Sequence, residues 1–134
     1  KATFVATTYD VEAGEDLSRH LEDQSGVLHA GEAETSMMLV CEPDLVDTSN
    51  LTKLASSEGD THFLSVGQNS YRWRPFAHMT ENGLAGNPAR SNVVKGENML
   101  EAGAKALANL IIDPETWAAP KDLRLAKIGG ASLR

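Results

Sequence analysis

Three side chains suited to hydrolytic chemistry, His29, Glu32 and Glu34, lie close together in the segment VLHAGEAETSMMLVCEPDLVD, residues 27–47. A carboxylate on a rigid helix can bind a metal ion, and a nearby imidazole can transfer a proton, which is a common hydrolase arrangement. A helix that begins near Gly31 or Glu32 would also favour both glutamates, because carboxylates stabilise the positive end of the helix dipole. The segment alone therefore supports both a catalytic and a structural interpretation.

The two glutamates should point in different directions. Positions i and i+2 of a helix are about 200° apart, so one carboxylate would face a site while the other caps or pairs. His29 would lie on the loop that enters the helix, within reach of a pocket at the helix start. A zinc site needs three or four protein ligands, and the remaining histidines show no HxH or HxxxH spacing: His20, His62 and His78. The site is therefore incomplete on sequence grounds.

A glycine-containing loop precedes the last predicted helix. Gly83 and Gly86 could leave backbone N–H groups free to hold an anion at the start of that helix. The Gly-Lys-Ser/Thr order of a phosphate-binding loop is absent, since Lys95 and Gly96 fall within the helix. Anion binding before Ser91 stays open beside the alternative of a tight loop that packs on other backbone.

The elements that would position these residues are of both kinds. Strands are predicted at 3–11 and 62–66, which are rich in β-branched and aromatic residues. Helices are predicted at 14–23, 32–42 and 92–112 from their apolar spacing. This order gives the class α/β, with very few strands for a complete sheet.

Local signals set the helix ends and faces. Pro43 should stop the helix over 32–42, whose apolar face is Ala33, Met37, Val40 and Cys41, with Met38 beside it. Ser91 is the predicted cap of the helix over 92–112 and Asp113-Pro114 its end. Its predicted stripe is Val93, Leu100, Ala104, Leu107 and Ile111. Residues 113–134 are predicted to form a packing arm of one domain portion, 1–134.

Composition limits the class of partner. The net charge of −7 and an aromatic content of 5% argue against nucleic-acid binding. No apolar run reaches the roughly 20 residues of a membrane span, and no signal peptide is visible. The single cysteine, Cys41, cannot form an internal disulfide. We therefore expect a soluble, cytoplasmic protein.

The segment HAGEAETSMML…PDLVD resembles the signature of the creatininase family of amidohydrolases. The Gly-x-x-Gly-x-Pro loop that runs into VVKGENMLEAGAKAL is similar to the C-terminal loop and helix of that family. The resemblance spans residues 2–112. It implies a three-layer α/β/α fold with a mostly parallel sheet, and a hydrolase of amide C–N bonds in small cyclic or linear amides. It also implies two divalent metal ions per site, zinc, manganese or iron, and a homo- or hetero-oligomer.

The resemblance also implies roles for individual residues. His29 would handle substrate and protons, Glu34 would reach the metal centre, and Glu32 would be a base or support a ligand. Thr35 and Ser36 would orient Glu34 and the helix start. Independently of the resemblance, residues 43–91 form a long irregular stretch, whose length is typical of a functional loop. Its residues Arg72, Trp73, Arg74, Phe76 and His78 would either shape the substrate end of the pocket or belong to an interface or the core.

Several ligands typical of the family are absent from this chain. These are a Glu-x-His pair, an aspartate and a His-Gly-Asn-Gly-Gly type segment, which belong to the N-terminal half of family members. The chain therefore resembles the C-terminal portion, and we expect the other half on a companion chain, from precursor cleavage or a separate gene. The few strands and the start at Lys1 agree with this expectation. The alternative is a non-catalytic structural or regulatory subunit.

Overall fold

The computed structural model describes residues 2–24, 26–54 and 75–119. Within them lie four α-helices: α1, Tyr9–Glu12; α2, Gly14–Ser18; α3, Glu32–Cys41; and α4, Val93–Ile112. Short 3₁₀ turns accompany these helices at Pro43–Leu45, Thr48–Lys53, Phe76–His78, Pro88–Arg90 and Pro114–Trp117. Each helix of this part of the chain is too short or too polar to cross a lipid bilayer.

The described residues form no strand, so the expected α/β/α fold with a mostly parallel sheet is wrong. The predicted strand over 3–11 is replaced by an exposed segment over 3–8 and by α1. A strand is stabilised by hydrogen bonds and side-chain pairs with a neighbouring strand, and the described ranges offer none. Asp10 and Glu12 instead lie in the first turn of α1, where the helix dipole favours them. The predicted strand over 62–66 lies outside the described residues.

Helix α3 has nearly the predicted length, and Pro43 opens the 3₁₀ turn that follows it. Its fully buried residues are Glu32, Ala33 and Ser36. Of the predicted apolar face, Ala33 is buried and Met37 packs against the core, whereas Met38 is exposed. The buried side of α3 contains polar groups because it meets α4 at the start of both helices. Cys41 is exposed.

Helix α4 also has nearly the predicted bounds and ends at Asp113. Its N-cap is Asn92, whose side chain accepts a hydrogen bond from Lys95 N at 2.9 Å, so the prediction of Ser91 as cap is wrong. The predicted apolar stripe is also not the buried face, since Val93 is 46% exposed and Ile111 is 63% exposed. The buried residues of α4 are Gly96, Met99 and Gly103.

The close approach of α3 and α4 depends on Gly96. A Cβ atom at this position would lie 2.1 Å from the carbonyl oxygen of Ser36 and 2.7 Å from Cγ2 of Val40. At Gly103, two turns later, an added Cβ would lie 3.5 Å from Cβ of Tyr9, which is an ordinary van der Waals contact. The backbone of α4 near its start therefore touches the backbone of α3 at Ser36.

The apolar core lies between α2, α3 and α4. Its buried members are Ala13, Leu17, Ala33 and Met99. The predicted helix over 14–23 is shorter than expected, because α2 ends at Ser18. Of the predicted packing arm, only the part to residue 119 is described, where the indole N–H of Trp117 donates to the carbonyl oxygen of Ile111 at 2.8 Å.

Candidate active site

His29 lies on a tight turn that leads into α3. Ala30 has a φ of 52°, a left-handed conformation that costs a non-glycine residue about 1–2 kcal/mol. Hydrogen bonds hold this conformation: the Ala30 N–H donates to Oε2 of Glu34 at 2.6 Å, and the Thr35 hydroxyl donates to the Ala30 carbonyl at 3.2 Å. Glu34 therefore fixes the backbone that presents His29.

The glycine-containing loop packs directly on this turn. The backbones of Gly31 and Gly86 cross so closely that a Cβ on Gly86 would lie 2.8 Å from Cα of Gly31. The φ of 146° at Gly86 also favours glycine. Beside this crossing, the Ala85 N–H donates to the His29 carbonyl at 2.8 Å. The loop therefore packs tightly on other backbone, which is one of the two alternatives that its sequence offered.

His29 and Glu34 face a common cleft. Nδ1 of His29 lies 4.0 Å from Oε2 of Glu34, and the two side chains are 55% and 39% exposed. The cleft has a volume of about 480 Å³ and is lined also by Tyr9, Asp10 and Val27. The Phe76 ring meets the His29 ring edge-on, with ring centroids 4.6 Å apart. A small molecule in the cleft could contact both the imidazole and the carboxylate.

Glu32 points to the opposite side of α3 and is fully buried. Its carboxylate accepts hydrogen bonds from Nζ of Lys95 at 2.5 Å and from the Glu22 N–H at 3.0 Å. This divergence of Glu32 and Glu34 follows from the 200° between their positions, with one residue paired and the other on the cleft. A catalytic role for Glu32 stays a prediction, and its observed contacts are those of a pairing residue.

Ser36 joins the first turn of α3 to the start of α4. Its hydroxyl donates to the Glu32 carbonyl at 2.6 Å and accepts from the Asn92 N–H at 3.1 Å. The Ser91 hydroxyl donates to the same Glu32 carbonyl at 3.1 Å. The side chain of Ser36 is fully buried, so it acts on the helix start from inside the protein.

Charged side chains lie around the buried Glu32 at the starts of α3 and α4. The pKa of Lys95 is raised above its usual value. Burial by itself would lower this pKa, but the hydrogen bonds and negative charges of Glu22 and Glu32 outweigh the effect of burial. The pKa of Glu22 is lowered, chiefly by its hydrogen bond to Lys95, and that of Asp23 by its hydrogen bond to Arg90. These carboxylates repel a second negative charge and make the start of α4 a poor site for an anion. They therefore argue against the anion binding before Ser91 that the sequence left open.

Tyr9 borders the same cleft, although its sequence context predicted only a strand. Burial raises its phenol pKa, with further contributions from the charges of Glu34 and Asp10. The hydroxyl therefore stays protonated and can donate a hydrogen bond. Tyr9 lies far from Glu34 along the chain, and no local pattern linked the two residues.

A second, apolar groove adjoins Tyr9 and Glu34. It has a volume of about 570 Å³. Part of the predicted α4 stripe, Leu100, Ala104 and Leu107, lines it together with Met37 and Met38. The stripe thus faces open space on this chain instead of the core.

Other predicted site residues lie apart from this group. His78 is exposed on the 3₁₀ turn Phe76–His78, and it is Phe76 of that turn that touches His29. Trp73, with Arg72 and Arg74, lies outside the described residues. Within the described ranges, the structure therefore joins His29, Glu34 and Phe76.

The donor types on the cleft suit a divalent metal ion, since imidazole and carboxylate are ligands of zinc, manganese and iron. Their number is too small, because no group of three or more His, Cys, Asp or Glu side chains in the described residues could hold a metal. His29 and Glu34 would be part of a metal centre that other donors complete.

Comparison with known proteins agrees with the motif. The family model for creatininase, described as creatinine amidohydrolase, matches residues 1–111. None of the curated proteins and none of the solved structures compared with the chain matches it. The match covers most of the chain, including the His29 turn and most of α4, and family members of this kind are amidohydrolases that generally depend on metal ions. The chain belongs to the creatininase family.

Proposed function

We propose that this protein is a metal-dependent hydrolase of the amide C–N bond of a small cyclic or linear amide. One observation carries the proposal beyond family membership: His29 and Glu34 face one cleft, and a strained turn bonded to Glu34 presents the histidine. Such pre-organisation at the cost of backbone strain is typical of functional sites.

The two residues would have separate tasks. The His29 imidazole, which is more than half exposed to solvent and lines the cleft, would transfer a proton to the leaving nitrogen. Glu34 would supply one ligand of a divalent ion, which when bound activates water and polarises the amide carbonyl. Tyr9 would donate a hydrogen bond to the substrate from the wall of the cleft.

The remaining ligands would come from a companion chain that carries the N-terminal half of the catalytic unit. The shortage of donors in the described residues supports this. Precursor cleavage or a separate gene would supply that chain, and the assembled enzyme would be a homo- or hetero-oligomer. For the substrate we propose only a chemical class, small amides. A small molecule of this class fits the modest volume of the cleft.

The test uses the natively purified protein with everything that assembles with it. Metal content is measured by mass spectrometry, and hydrolysis is measured on a panel of creatinine, lactams and linear amides. We expect Glu34→Gln to lose most of the metal and nearly all turnover, and His29→Ala to lower kcat by about 10²–10⁴. Glu97→Gln, an exposed site on α4, is the matched control.

Full metal content and full rate in Glu34→Gln would remove Glu34 from the site. A native assembly that contains no stoichiometric metal and hydrolyses none of the amides would contradict the enzyme. That result would favour the alternative, a non-catalytic structural or regulatory subunit of this family.

A further inference from the structure

Lys95 connects three segments of the protein on the side of α3 that faces away from the cleft. Its ammonium group contacts Oε1 of Glu32 at 2.5 Å, the carboxylate of Glu22, and the carbonyl oxygen of Arg90 at 3.0 Å. The side chain of Lys95 is 14% exposed and that of Glu32 is fully buried. The start of α4 is thereby tied to the start of α3 and to the residues before it.

Glu32 depends on this cation. A buried carboxylate that loses its partner is strongly unfavourable, since the charge remains out of water without compensation. The other donor to its carboxylate in the described residues, the Glu22 backbone N–H, carries no net charge. Without the Lys95 ammonium, a shift of the first turn of α3 that lets water reach Glu32 would relieve this cost.

The same helical turn holds the cleft residues. Glu34 lies two positions after Glu32, and its carboxylate accepts the Ala30 N–H that fixes the left-handed turn under His29. A shift of the first turn of α3 would stretch this 2.6 Å bond and move the imidazole relative to Glu34. An interaction on the buried side of the helix would thus control geometry on the open side.

We infer that Lys95 is a positioning residue of the candidate site, which acts through Glu32 to hold His29 and Glu34 in place. The inference rests on the proposed function for its catalytic meaning. Lys95 is not placed to touch a molecule in the cleft, because its ammonium is bonded to Glu32, Glu22 and the Arg90 carbonyl.

Hydrogen exchange of the Ala30 amide, measured by NMR on the native assembly, reports the geometry without requiring catalysis. We expect Lys95→Met to accelerate this exchange at least tenfold, while Lys105→Met, an exposed lysine on the same helix, leaves it unchanged. The double variant Glu32→Gln with Lys95→Met should exchange more slowly at Ala30 than Lys95→Met alone, because it removes the unpaired buried charge. Equal exchange in Lys95→Met and Lys105→Met, or a double variant that is no slower than Lys95→Met, would overturn the inference.

Catalysis supplies the second readout. In an assembly that hydrolyses an amide, we expect Lys95→Met to lower kcat at least tenfold, Lys95→Arg to recover most of that loss, and Lys105→Met to have no effect. An unchanged kcat in Lys95→Met, with faster Ala30 exchange, would refute positioning of catalytic groups. A wild-type assembly without activity would contradict only the proposed function. The hydrogen exchange of Ala30 would still show whether Lys95 holds the His29 turn in place.

Discussion

The substitution Gly96→Ala tests the backbone contact that brings α3 and α4 together. In most helices this change stabilises the protein, because alanine has a better helix propensity by about 1 kcal/mol. Here the added Cβ would lie 2.1 Å from the Ser36 carbonyl oxygen and 2.6 Å from its carbon, whereas ordinary contact begins near 3.4 Å. The partner is backbone and cannot rotate away, so restoring ordinary contact needs the two atoms to separate by about 1.3 Å, the difference between 3.4 Å and 2.1 Å.

The energetic result follows from two opposing terms. Overpacking of this kind costs about 1–3 kcal/mol, and a rigid backbone partner places Gly96→Ala at or above the upper end of that range. After the gain in propensity, we expect a net loss of about 2 kcal/mol in the free energy of unfolding. The separation also stretches the bond of Asn92 to Ser36 and the ion pair of Lys95 with Glu32.

Gly103→Ala is the matched control, on the same helix. Its Cβ would meet Tyr9 at an ordinary 3.5 Å, so the propensity gain of about 0.5–1 kcal/mol should appear as added stability. Urea denaturation followed by far-UV circular dichroism measures both variants. The reasoning is refuted if Gly96→Ala is as stable as Gly103→Ala, because the two changes differ only in the space around the new methyl group.

Two further predictions concern the His29 turn and the charges behind it. Ala30→Gly should stabilise the protein, or leave its free energy of unfolding unchanged, by relieving the left-handed strain of about 1–2 kcal/mol. Ala108→Gly, at an exposed position of α4, should cost about 1 kcal/mol in the same urea assay, and an equal loss in both variants would contradict the strain. The pKa values of Glu22 and Asp23 are lowered in the folded protein, so their ionised forms stabilise the fold at pH values above the ordinary carboxyl pKa of about 4. This stabilisation is lost as the pH falls below that value and the two carboxylates become protonated. Arg90→Met should make this acid loss shallower in urea midpoints measured across pH, because Arg90 is the main cause of the Asp23 shift, and an unchanged slope would count against it.

The helices most open to prediction were those whose signals are local. The bounds of α3 and α4 follow from apolar spacing, Pro43 and the Asp113-Pro114 pair, which act within a few residues of the chain. The strand over 3–11 was wrong because β-propensity describes a residue that fits a paired, half-buried surface. The described residues offer that segment no partner strand.

The buried face of α4 shows a second limit. Hydrophobicity selected Leu100 and Leu107 as the packed side, whereas the closest contact is made by Gly96, which has no side chain to bury. Two backbones approach closely where a residue has no side chain between them. A pattern of hydrophobic residues does not show such a position. Ser91 was predicted as the cap because serine caps helices well, but asparagine caps them equally well, and Asn92 is the cap in the structure.

Part of the candidate site was predictable from the sequence. The opposite directions of Glu32 and Glu34 follow from helix geometry, and the structure shows them. The pairing of Glu32 with Lys95 was not predictable, because the residues are 63 positions apart. Tyr9 was missed for the same reason, since only the folded chain brings it to the cleft.

The distance along the chain between α3 and α4 has a kinetic consequence. The bond of Asn92 to Ser36 closes a loop of 56 residues, and bringing such ends together costs roughly 2 kcal/mol more conformational entropy than closing a loop of five. Helical proteins with short connections between neighbouring helices fold fast, and long-range contacts slow folding. We therefore expect the rate-limiting step of folding to be the meeting of α4 with α3, so that the His29 turn reaches its observed geometry late, when long-range closure is complete.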